Sequence, residues 1–311
     1  MKNVVLFLAI ASAASLAQGT WSSGAPIPTS VTVPAVGVLQ GRIYLVGGYN
    51  GSEDIADTQI YDPSTNTWST GTALPIANGA ASAAVVKGVL YVFGGTPDGK
   101  SVTNAVWAYS ASTKTWTAKA NMPTARSATA AVVENNIIYV IGGFVALDDH
   151  IAIVESYNPV TDIWTQEASM LGNKATPAAG RLGNVLKGFT IVAADGFTSS
   201  NDTGDNEGYN ASTNVWSPLK SDPTPRNTAF VGAKGLRAYV VGGYPGGPPG
   251  TPAYSLNESF NISTNSWKTL APMPQPAMLG GSMVYKGLLY CIGGWTADQG
   301  TVLNNVQIYH P

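Results

Sequence analysis

The chain has 311 residues, of which only 11% are charged, and its formal net charge is -2. With 35 glycines and 20 prolines, such a composition favours many short strands and tight turns over long surface helices. No run of Lys or Arg supplies the basic stripe that non-specific nucleic-acid binding requires, which sets nucleic acid aside as a partner.

Residues 1–19 read as a secretory signal. Lys2 is a short basic head, Val4 to Ala14 form an apolar run too short to span a bilayer, and small residues near Ala17 to Gly19 suit cleavage. No second long apolar run follows. Residues 20–311 are therefore expected to be one soluble, monomeric domain without a membrane span, secreted or periplasmic. Cys291 is the only cysteine, so the chain cannot form an internal disulfide, and its place in an apolar run predicts a core thiol. Five N-x-[ST] sequons begin at Asn50, Asn201, Asn210, Asn257 and Asn261.

From Trp21 onward the chain repeats. Trp recurs at 68, 116, 164, 216 and 267, and Gly-Gly pairs begin at 47, 94, 142, 242 and 293, each 26 residues after the preceding Trp of the series. Before each pair stands an apolar, β-branched and aromatic run: "RIYLVGG", "VLYVFGG", "IIYVIGG", "RAYVVGG" and "LLYCIGG". These predict buried strands. A turn such as Lys87-Gly88 and a further apolar segment before each run make a hairpin. A third strand carries the aromatic at Tyr61, Tyr109, Tyr157, Tyr209, Phe260 or Tyr309, and a fourth carries Trp seven residues later in the first five. Four antiparallel strands in each of six units predict an all-β propeller, because one such sheet buries its two faces only by packing between neighbours.

The apolar run, Gly-Gly, aromatic and Trp together resemble the kelch repeat, over essentially all of residues 20–311. Glu155, Glu207 and Glu258, two residues before the aromatic, match the Glu that kelch repeats favour. The sixth repeat ends in "VQIYHP" without its Trp. "GTWSSGAPIP", carrying Trp21, is the expected fourth strand, so the N-terminal strand completes the last blade and Trp21 should be mostly buried there.

Antiparallel order puts the inter-blade loop and the loop after Gly-Gly on one face, near the axis. The resemblance implies that these loops line a ligand pocket. The candidates are Tyr49, Phe144, Phe197, Tyr244 and Trp295 as aromatic walls, and Asn78, Arg126, Lys174, Arg226 and Asn227 from the inter-blade loops. Arg forks beside aromatic rings suit an acidic glycan or peptide. On that reading Arg126 and Arg226 would be removable at little cost in stability. The fourth unit departs from the pattern. Ala194-Asp195 replaces Gly-Gly, and Asp195 is either an acid/base group or drift in one degenerate repeat. Asp148, Asp149 and His150 form a loop cluster that reads as solvated, so no metal or cofactor is expected.

Two functions compete. One is an extracytoplasmic binding module for a protein or glycan. The other is an enzyme of the sialic-acid mutarotase type, which the family resemblance admits and which would need an acid/base pair such as Asp195 with an arginine. Copper-radical oxidases of similar fold need a Cys–Tyr crosslink and several His ligands, whereas this chain has only His150 and His310.

Overall fold

The computed structural model describes residues 19–146, 149–175, 178–182, 188–196, 203–248, 250–296 and 300–311. Six four-stranded antiparallel sheets form a six-bladed propeller. Blades I to V each use four strands in chain order; blade I comprises Ala35–Leu39, Arg42–Val46, Thr58–Asp62 and Thr67–Thr70. Blade VI combines Gly281–Tyr285, Leu288–Ile292 and Val306–His310 with Thr20–Ser23 from the other end of the chain. Trp21 lies opposite Tyr309, the register that Trp68 and Tyr61 adopt in blade I. Closure through the N-terminal strand is thus as the sequence predicts.

Local chemistry explains the repeating parts. Asn135 and Asn136 both hold positive φ, at 52° and 63°, which gives the hairpin a turn whose twist matches its strands. The seven-residue interval from aromatic to Trp spans one turn and sets the two rings opposite each other on neighbouring strands, tilted by 33° to 48°. Their centroids lie 4.9 to 5.3 Å apart in every blade. Each Trp Nε1 then donates to a carbonyl at the exit of the preceding blade, as Trp68 does to Ala25 O at 2.8 Å and Trp21 to Ala271 O at 2.9 Å. Trp21 is half-buried, less than the sequence led us to expect, because its strand is the outermost of its blade.

Gly-Gly serves blade spacing. Its first glycine adopts φ of about 60° in each of the five blades that have it. A Cβ on Gly94 would lie 2.2 Å from the backbone O of Arg126, where the next blade begins. No side chain fits there without pushing the blades apart. Cys291 is fully buried, and burial pushes its thiol pKa up, so it is an inert core residue. Among the described residues, no helix is long and apolar enough to cross a membrane.

Candidate functional site

The two loop sets meet as the topology predicts. The residue after each Gly-Gly bridges to the loop entering the same blade: Tyr49 to Thr32, Thr96 to Gly79, Phe144 to Ser127, Tyr244 to Asn227 and Trp295 to Met278. They surround a cavity of about 530 Å³ on the propeller axis. All six blades reach it, through Val33, Ala80, Ala128, Ala175, Thr228 and Leu279. Phe144 and Tyr244 supply aromatic walls, and Asn227 and His150 its larger polar groups.

The backbone makes this lining. Val33, Ala80, Ala128, Thr228 and Leu279 all hold φ between 48° and 58°. That left-handed conformation, unusual for residues other than glycine, accompanies hydrogen bonds that run round the ring. Ala80 N donates to Val33 O at 3.1 Å, and Ala128 N to Ala80 O at 2.8 Å. Leu279 N donates to Thr228 O at 2.9 Å, and Val33 N to Leu279 O across the closing junction. These four amides are each satisfied by a carbonyl of the neighbouring blade, so at these positions the mouth presents apolar side chains instead of open donors.

Three of the ten pocket candidates line the cavity: Phe144, Asn227 and Tyr244. Tyr49 and Trp295 sit on the same face outside its wall, in the bridges described above. Phe197 lies outside the described residues. The remaining four point into the blades, which corrects the expected cationic pocket. Asn78 is buried, its Nδ2 donating to Gly94 O at 2.7 Å. Arg126, Lys174 and Arg226 are buried too, and each meets the kelch-type glutamate of its own blade. Arg126 Nη2 lies 3.0 Å from Glu155, and Lys174 Nζ lies 2.8 Å from Glu207. Arg226 meets Glu258, with Asp222 at 3.1 Å. Thr124 adds a 2.7 Å hydrogen bond to Glu155. A cation buried against its own carboxylate is not available to a ligand, and removing it leaves a charge stranded.

This pairing was readable in the sequence. The loop position of Arg126 is Val31, Asn78 and Ala277 in blades I, II and VI, where the glutamate position is Gln59, Trp107 and Gln307. A cation occurs only in the blades that also carry the glutamate.

Asp195 is likewise inside its blade and absent from the cavity wall. It holds φ of 52° where other blades use glycine, and lies 3.9 Å from Arg226 Nε. Neither carboxylate oxygen receives a hydrogen-bond donor, and the Asp222 carboxylate stands nearby. Burial foremost, then the Asp222 carboxylate, pushes the Asp195 pKa well above the ordinary range. A carboxyl raised in the folded state favours folding below its unfolded value of about 3.9, and that contribution fades as pH rises through the folded value. Asp195→Asn should therefore match the parent near pH 4 and exceed it in melting temperature progressively at higher pH. A difference that stays flat from pH 4 to 9 would show that the Asp195 pKa is not raised.

His150 and Asp149 form a two-residue strand, the first buried and the second exposed, while Asp148 lies outside the described residues. Among the described residues, no three His, Cys, Asp or Glu side chains gather as a metal site. His150 was read from the sequence as part of a solvated cluster. The short ribbon that turns back from Phe144 brings it to the axis instead.

Comparison with known proteins places this architecture. The profile of the KLHDC2/KLHL20/DRC7 Kelch-repeats domain matches residues 10–194. Kelch-like protein 23 of Homo sapiens is 28% identical over 105 residues, which are 34% of this chain and 17% of that protein. Its Mus musculus counterpart is 27% identical over the same length. The chain thus spans under a fifth of these relatives. The solved structure of YjhT superposes with a TM-score of 0.77 at 18% identity, covering 90% of this chain and 95% of that one, a likeness of fold.

Proposed function

Because this chain belongs to the kelch-repeat family of six-bladed propellers, we propose that it is a binding module that holds a segment of a protein partner on the face formed by its inter-blade and post-Gly-Gly loops. One observation carries this reading: all six blades converge there on an open cavity of about 530 Å³, within the size range of ligand sites. The rigid blades fix the loops, and the loops vary in length and chemistry from blade to blade, an arrangement suited to recognition.

A protein segment is favoured over a glycan because methyl groups dominate the cavity wall, whereas sugar hydroxyls need many polar partners. The mutarotase alternative needs proton-transfer groups at the mouth. Its candidate Asp195 lies inside blade IV, which among the described residues leaves His150 and Tyr244 as the titratable lining residues. Export and a monomeric state belong to the same reading. Lys2 with the apolar run Val4 to Ala14 supports export. Pairing of the first and last strands within one chain supports the monomer.

Selection of a displayed peptide library on the whole protein tests the proposal. Peptides so selected should bind at least tenfold more weakly to the Phe144→Ala, Tyr244→Ala double variant, with little change in its melting temperature. Binding that ignores this pair and is lost on changing Lys87, Lys234 and Lys286 at the opposite turns would place the interface on the wrong face.

A further inference from the structure

The chemistry of the axial mouth can be carried one step further, resting on the loop-face reading above. We propose that the mouth accepts an uncharged, apolar group of the partner and excludes anions.

Charge complementarity is the first reason. Among the described residues, every lining residue is uncharged in type except His150 and Tyr244, and Tyr244 points its hydroxyl away to Gly247 O at 2.9 Å. The three cations that the loops bring toward the axis are spent: Arg126 on Glu155, Lys174 on Glu207, and Arg226 on Glu258 and Asp222. An incoming carboxylate would lose its hydration and find no ion to replace it, a cost that contact with methyl groups does not return.

Backbone geometry is the second. Inward-facing amides are the usual alternative to a cation for holding an anion. Here the amides of Val33, Ala80, Ala128 and Leu279 point along the ring, each to a carbonyl of the neighbouring blade. The positive φ at these residues is what turns them that way. The mouth is therefore apolar by construction of its floor as well as by choice of side chains. An aliphatic or aromatic side chain flanked by uncharged residues suits a mouth lined by Phe144, Tyr244 and the small apolar residues of the blades.

Two fluorescent probes of nearly one shape separate the possibilities. N-phenyl-1-naphthylamine is neutral, and 8-anilino-1-naphthalenesulfonate carries one negative charge. At pH 8 the neutral probe should bind the whole protein saturably with one-to-one stoichiometry, at least tenfold more tightly than the sulfonate. Ala128→Leu should weaken it at least tenfold by filling the mouth. The fold should tolerate this change, since Leu279 occupies the equivalent place in blade VI at φ of 58°. Ala128→Arg should reverse the preference toward the sulfonate. The inference is overturned if the neutral probe does not bind, if the sulfonate binds as tightly, or if Ala128→Leu leaves binding unchanged in a folded protein. The two proposals fail separately. Peptides that bind at the mouth through acidic residues sink this inference and keep the binding module. A neutral probe seated there that no selected peptide displaces sinks the peptide-binding reading and keeps this one.

Discussion

Removing Val306–Pro311 should abolish cooperative unfolding of the whole chain. The strand Val306–His310 lies between two partners, pairing with Leu288–Ile292 on one side and Thr20–Ser23 on the other. Its loss strips blade VI of its third strand and leaves its fourth without an anchor. Val306, Ile308 and Tyr309 are all buried, and Tyr309 packs against Trp21 with the ring centroids 5.0 Å apart. Three such side chains at roughly 1.5–3 kcal/mol each approach the 5–15 kcal/mol that holds a typical domain together. The open ring would also expose unpaired sheet edges, so aggregation should accompany the loss. Trp21→Ala is the graded version. Its half-buried ring and single hydrogen bond to Ala271 suggest a cost of about 2 kcal/mol, below the 3–5 kcal/mol of a fully buried aromatic. Denaturant melts of both variants decide the matter. A truncated chain that still unfolds in one sharp transition would show that the ring does not depend on this seam.

Arg126→Met should cost about 3–5 kcal/mol, because it leaves the Glu155 side chain buried inside the blade without its cation. Adding Glu155→Leu should restore most of that loss, since two apolar groups of similar volume pack where the ion pair stood. The contact is chiefly electrostatic: Arg126 Nη2 directs a proton to Val140 O at 3.2 Å while the carboxylate sits beside it. Three melting curves give the answer. If Arg126→Met falls within about 0.5 kcal/mol of the parent, the range of an ordinary surface change, the arginine is a surface cation after all and the pocket read from sequence regains it.

The contrast between these two predictions follows what the chain could say by itself. Six blades, four strands in each, the aromatic and Trp positions on the third and fourth strands and the exchange of the terminal strand were all legible in the sequence. They rest on periodicity and turn chemistry, which act over a few residues and recur at a fixed interval. The side of the propeller on which the loops gather was legible too, because antiparallel order fixes it. What only the tertiary structure decided is which side chains those loops turn inward. Arg126, Lys174 and Arg226 looked like pocket cations because they stand in loops near the axis. The buried glutamate of the same blade captures each, since a charge in a dry sheet is far costlier unpaired than paired. Val33, Ala80, Ala128 and Leu279 carry no sequence signal of a site, yet their left-handed backbone links neighbouring blades by hydrogen bonds and lines the mouth with apolar side chains. His150 reaches the axis only because a short ribbon folds back from Phe144. The capture of the cations left a trace that only a comparison of all six repeats reveals, whereas the lining of the mouth and the reach of His150 depend on contacts between blades and on small rotations of the backbone, which no spacing along a single repeat encodes.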